Sequence, residues 1–146
     1  MKGKSKIKIF CDSSALIAGL KSPGGSMRRI INLSFKGHFI LIISEQVKRE
    51  TVENIYKKFP EAIWIMKMIM PDLKRMSDPN VRQMQNFSNL INQDDLPILT
   101  AAINSNPDYL LTWNTKHFIT KKIKKSVNFI VCTPADFLQK YWKKNN

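Results

Sequence analysis

A chain of 146 residues is long enough for one substantial core and too short for two. Its 24 Lys and Arg outnumber 11 Asp and Glu, and a net charge of +13 favours a polyanionic partner, nucleic acid ahead of a membrane surface. No apolar run approaches the roughly eighteen residues of a membrane span, so no membrane partner is expected.

The basic excess is uneven. Residues 1–36 hold eight basic side chains and one acid, Asp12; residues 116–146 hold eight lysines and one acid, Asp136. The stretch between them is close to neutral. Solvated lysines that only keep a protein soluble give the same total, so charge alone leaves both readings open. The opening "MKGKSKIKIFCDSSALIAGL" has a charged start and an apolar stretch, but Lys6, Lys8 and Asp12 interrupt it. A buried strand is expected there, not a secretory leader. Cys11 and Cys132 lie in apolar, strand-like runs, as reduced core residues of a cytoplasmic protein would. With His38 and His117 they form no zinc-ligand spacing.

"KIKIFCD" predicts a strand ending at Asp12, and "SSALIAG" a short helical turn capped by Ser13 or Ser14. "SMRRIINLSFKG" predicts a second helix, closed by Gly37. "HFILIIS" is a continuous apolar run, the mark of a parallel strand buried on both faces. Ser44 caps "EQVKRETVENIYKKF", where Val52, Tyr56 and Phe59 recur at helical spacing before Pro60. "PEAIWIMKMIM" opens with an N1 proline and predicts a further helix. "PDLKRMSDPNVRQMQNFSNLINQ" reads as a short strand or loop, then a helix. "DDLPILTAAINSNP" predicts a helix with Leu96, Leu99, Ala102 and Ile103 on one face. "DYLLTW" and "VNFIVCT" are the last strands, and "TPADFLQKYW" closes the chain with Thr133 as N-cap and Pro134 at N1. Alternating strands and helices predict a single α/β domain, a parallel sheet covered on both faces.

In so basic a chain the few acids are informative. Asp12 ends the first strand, Glu50 and Glu53 lie early in the helix after the second, Asp94 and Asp95 open a helix, and Asn114 ends a later strand. In a doubly wound sheet these positions gather at one edge. Carboxylates and an amide converging there make an all-oxygen pocket suited to Mg²⁺ or Mn²⁺, whose chemistry beside a basic surface is phosphodiester cleavage. Each acid also has a plainer use. Asp12 can cap a helix, Asp94 and Asp95 suit a helix dipole, and Glu50 competes with Glu53 just outside the apolar arc formed by Val47, Val52, Ile55, Tyr56 and Phe59.

These residues, in this order, resemble the PIN-domain ribonucleases, including the VapC-like toxins of bacterial toxin–antitoxin pairs. "IKIFCDSSALIAGL" resembles the family's opening strand and metal-binding Asp, here Asp12, with Ser13 at its small hydroxyl position. "IISEQVKRETVENI" is similar to the segment carrying the family's Glu, which falls on Glu50. "DDLPILTAAINSNPDYLLTWNTKHF" resembles an Asp, a small-residue helix and a strand ending in Thr-x-Asp, which maps the third acid onto Asp95. The pattern departs at Asn114, where the family most often has a fourth acid.

The resemblance covers almost all of residues 1–146 as one PIN-like, three-layer α/β/α domain. It implies a Mg²⁺- or Mn²⁺-dependent endoribonuclease with Asp12, Glu50 and Asp95 on the metal and Asn114 completing the catalytic set. Ser13, Thr112, His117, Lys121 and Lys122 are the candidate RNA-binding residues. RNA, an antitoxin protein and a second copy of the chain are the implied partners. Two other readings compete: an RNA-binding module disabled at Asn114, and a phosphoacceptor or nucleotide-binding domain. Against the last, "SPGGS" follows Asp12 by ten residues and matches no nucleotide fingerprint. Trp113 is expected to be partly buried core, and His117 an exposed side chain on a short helix.

Overall fold

The computed structural model describes residues 6–142. Five strands form one sheet in the order β3-β2-β1-β4-β5, every pair parallel. They are β1 (Ile7–Cys11), β2 (Phe39–Ser44), β3 (Lys74–Met76), β4 (Tyr109–Leu111) and β5 (Ile130–Cys132). Parallel neighbours need crossover connections, and helices supply all four. They are α1 (Ser13–Lys21) and α2 (Ser26–Phe35), then α3 (Glu45–Lys58) and α4 (Ile63–Ile69), then α5 (Val81–Gln85) and α6 (Leu96–Ser105), then α7 (Thr115–Phe118) and α8 (Lys121–Ser126). A closing turn, α9 (Pro134–Asp136), runs into a π-helical segment, Phe137–Trp142.

The middle of the sheet is dry on both faces. Ile9, Phe10 and Cys11 are consecutive, so their side chains alternate between faces, yet all three are fully buried. That is why the strand sequences read as apolar runs and not as alternating patterns. Both cysteines are free and buried in this core.

The register fixes where function can sit. Cys11 pairs with Leu111, and Asp12 N donates to Leu111 O (3.2 Å), so Asp12 and Thr112 leave the sheet side by side. The chain builds outward from β1 through β2 to β3, then returns to place β4 on β1's other side. The β1/β4 seam is therefore the topological switch point, the place where open α/β sheets bind ligands.

Local expectations are corrected at three places. Asp12 caps α1, accepting from Ala15 N at 2.9 Å, in place of Ser13 or Ser14. Tyr56 is exposed, and the buried line of α3 runs through Val47, Thr51 and Ile55, a strict four-residue spacing. Trp113 is 42% exposed and is not a core residue. The stretch after Met70 holds β3 and then the five-residue α5, opened by a capping box between Asn80 and Gln83.

Gly19 sets the approach of α1 to α2. A Cβ there would lie 2.7 Å from Ile31 Cδ1 and 2.9 Å from Met27 Cγ. Gly19→Ala gains about 1 kcal/mol of helix propensity but forces overpacking that costs about 1–3 kcal/mol. A lowered thermal midpoint is expected; a raised one would show that α2 yields freely.

Candidate active site

Asp12 stands at the seam, 2% exposed. Its Oδ1 accepts from Ala15 N and from Ser14 Oγ (2.8 Å), and its Oδ2 accepts from Thr112 Oγ1. Burial pushes the carboxyl up to about 6, against the downward pull of these hydrogen bonds, and the charge of Asp95 adds to the rise. Two acids far apart in sequence are thus near enough to repel each other.

A run of close polar contacts spans the distance between them through the segment after β4. Thr112 Oγ1, which donates to Asp12, accepts from Asn114 N at 2.9 Å. Asn114 Nδ2 lies 3.2 Å from His117 Nδ1, and that nitrogen lies 2.9 Å from Asp95 Oδ2. One ring nitrogen serves one partner at a time: carrying its proton it donates to Asp95, and without it accepts from Asn114. His117 is exposed on a short helix as expected, yet it is pinned into this site. Asp95 does not cap α6 with its side chain; its Oδ2 also accepts from Asn92 Nδ2 at 2.8 Å.

Glu50 and Glu53 differ in their contacts. Ser13 Oγ, one residue beyond Asp12, donates to Glu50 Oε1 at 2.7 Å, and Gln46 Nε2 donates to Oε2 at 3.1 Å. Glu50 is half-buried and Glu53 exposed. The first turn of α3, which carries Glu50, is held by Asp78, which accepts from Gln46 N (2.8 Å) and pairs with Arg49 (2.9 Å). The lysine pair divides. Lys121 is exposed, whereas Lys122 Nζ donates to Asn89 O at 3.1 Å and ties α8 to the segment before α6.

Sequence reasoning missed three polar residues. Ser14 donates to Asp12 and accepts from Trp113 N (2.9 Å), joining the α1 cap to the segment after β4. Gln46 and Asn92 steady Glu50 and Asp95. Two of them had a local signal: Asn92 in an Asx turn, "NQDD", in which its Oδ1 accepts from Asp95 N at 3.1 Å, and Gln46 at i,i+4 spacing from Glu50 on one helix.

The donors Asp12, Glu50, Asp95 and the Asn114 carbonyl are all oxygen, which suits a hard divalent ion. Their carboxylates are each engaged with neighbours. Among the described residues no group of three or more His, Cys, Asp or Glu converges as a metal cage. Binding an ion would exchange the bonds from Ser13 and Gln46, or from Asn92 and His117, for coordination.

Fold and site together define a doubly wound α/β domain with a buried acid at its switch point and a second acid near it. Residues 8–116 match the model of the PIN domain, and the chain belongs to that family. Among solved structures it is similar to a chain in the crystal structure of VapBC2 from Rickettsia felis bound to a DNA fragment from their promoter. That match has 17% identity and a TM-score of 0.61, covering 86% of this chain and 97% of that one. PAE2754 from Pyrobaculum aerophilum is similar at 12% identity and a TM-score of 0.59, covering 91% and 88%. No curated protein matches.

The fold holds Asp12 above its ordinary value, so its stability contribution is complete below about pH 4 and lost as pH rises through about 6. The loss is about 3 kcal/mol. In metal-free buffer, Asp12→Asn should therefore gain on the wild type by about that amount between pH 4 and 8, measured by urea denaturation. A difference independent of pH would contradict the assigned burial cost.

Proposed function

We propose that this protein is a divalent-metal-dependent endoribonuclease in which Asp12, Glu50 and Asp95 hold Mg²⁺ or Mn²⁺ and Asn114 completes the site. The observation that carries the proposal is the run of close polar contacts from Asp12 through Thr112, Asn114 and His117 to Asp95 at the switch point of a PIN domain. The chemistry a bound cation supplies is neutralisation of charge on the phosphate and activation of water. The chain's own groups do the rest. Thr112 and Ser14 aim the Asp12 carboxylate, Ser13 aims Glu50, and His117 holds a proton at Nδ1 beside Asp95. Lys116 and Lys121, both exposed near the end of that path, supply positive charge for the RNA backbone.

The likeness to VapBC2 supports a toxin held by an antitoxin partner, and a second copy of the chain is part of the same proposal. The acidic site inside a protein of net charge +13 supports RNA as the substrate. No helix among the described residues is long and apolar enough to cross a membrane, which agrees with action in the cytoplasm. A second reading, an RNA-binding module without catalysis, is favoured only by the missing charge at Asn114. A charge at that place would be worth at most several kcal/mol towards a cation at an effective dielectric near 20.

Cleavage of a mixed structured RNA separates the two. With Mn²⁺ or Mg²⁺ the wild type should cleave, EDTA should stop it, and Asp12→Ala should lower the rate at least about a hundredfold, the scale of a lost electrostatic group. A silent wild type beside an active Asn114→Asp would replace the nuclease by the binding module.

A further inference from the structure

Beside the acids runs a groove of about 590 Å³ that the proposed chemistry does not use. Ser14 forms one end, the exposed ring of Trp113 one wall, and Met27 and Phe59 line it with the amines of Lys21 and Lys58. No acid lines it among the described residues. A second depression of about 390 Å³, lined by Ser13, Glu50 and Glu53, shares Ile17, Asn54 and Lys58 with it. The groove therefore opens beside Glu50 at one side and beside Ser14, which holds Asp12, at the other.

We infer that this groove binds the single-stranded RNA next to the cleaved bond, with one base stacked on Trp113 and its backbone phosphate against Lys21 and Lys58. Three observations converge. The Trp113 ring is 42% exposed and lines the groove, and every base offers a flat face to stack on it. The residue is anchored beside the acids: its backbone N–H donates to Ser14 Oγ, the same oxygen that donates to Asp12. The volume lies within the roughly 300–1,000 Å³ of small-ligand sites, and the lysines match a phosphate in charge. Lys21 Nζ is already steered, 4.8 Å over the Phe59 ring. A protein segment would find the same apolar wall, but the two amines and the absence of acid favour nucleic acid.

The inference rests on the ribonuclease reading and names where its substrate lies, yet its test needs no cleavage. The probe is a fluorescein-labelled 2′-O-methyl RNA octamer, with an abasic-spacer octamer of the same charge, titrated in EDTA by fluorescence anisotropy. Trp113→Ala should weaken octamer binding roughly tenfold to a hundredfold, and Trp113→Phe, which keeps a stacking face, by no more than about threefold. The abasic probe should bind wild type and Trp113→Ala alike. Equal octamer affinity for wild type and Trp113→Ala would overturn the inference and leave the groove to a protein segment. So would an equal loss on the abasic probe, which would trace the effect to backbone contacts. Trp113-dependent binding by a protein that cleaves no RNA would uphold this site and fail the nuclease reading alone.

Discussion

The hydrogen bond between Thr112 and Asp12 closes the seam where the chain reverses its direction of building. It joins the end of the first strand to the end of the fourth, residues a hundred positions apart. A buried carboxylate is tolerable only when its oxygens are satisfied. Here Ala15, Ser14 and Thr112 satisfy them and pull the pKa down, but burial outweighs them and leaves it raised. Everything else in the site hangs from this arrangement. Ser14 carries Trp113, Thr112 carries Asn114, and the first residue of α1, Ser13, carries Glu50.

Asn114 reads differently once this is seen. As a fourth acid it would stand beside His117 and add a charge to a site where Asp12 and Asp95 already repel. As an amide it links the Thr112 hydroxyl to the His117 ring with neutral groups. The substitution keeps the connection and gives up charge. His117, which faces Asp95 directly, then becomes the group through which the segment after β4 influences the acids. A basic shell around an acidic, neutral-bridged centre is the arrangement a polyanionic substrate and a hard cation would share.

The parallel fold was legible because its cause is local and repeated: apolar runs of strand length, each followed by a capped helix. Ser44 and Thr133 cap the helices the sequence assigned to them, accepting from Val47 N and Asp136 N. The cap of α1 falls on Asp12 and not on Ser13 or Ser14 because the two readings of Asp12, helix cap and site acid, are both met by one carboxylate that caps α1 and closes the seam. Glu50 could not be separated from Glu53 on a helical wheel, since the contact that distinguishes them, Ser13, lies on another helix. Trp113 was misjudged for a related reason. Large aromatics are usually buried, and nothing in the sequence around Trp113 reveals that a serine a hundred residues away holds its backbone at the rim of a groove. The bond from Lys122 to Asn89 is tertiary in the same way.

The most direct test of the central claim, that Asp12 is the hub of a cation-binding acid site, is a crystal grown or soaked in Mn²⁺ and phased for its anomalous signal. The account predicts an anomalous peak at about 2.1–2.2 Å from an Asp12 carboxylate oxygen, with Glu50 or Asp95 turned from its present partners to join it. Manganese confined to the exposed surface, with Asp12 still bonded only to Ala15, Ser14 and Thr112, would contradict it.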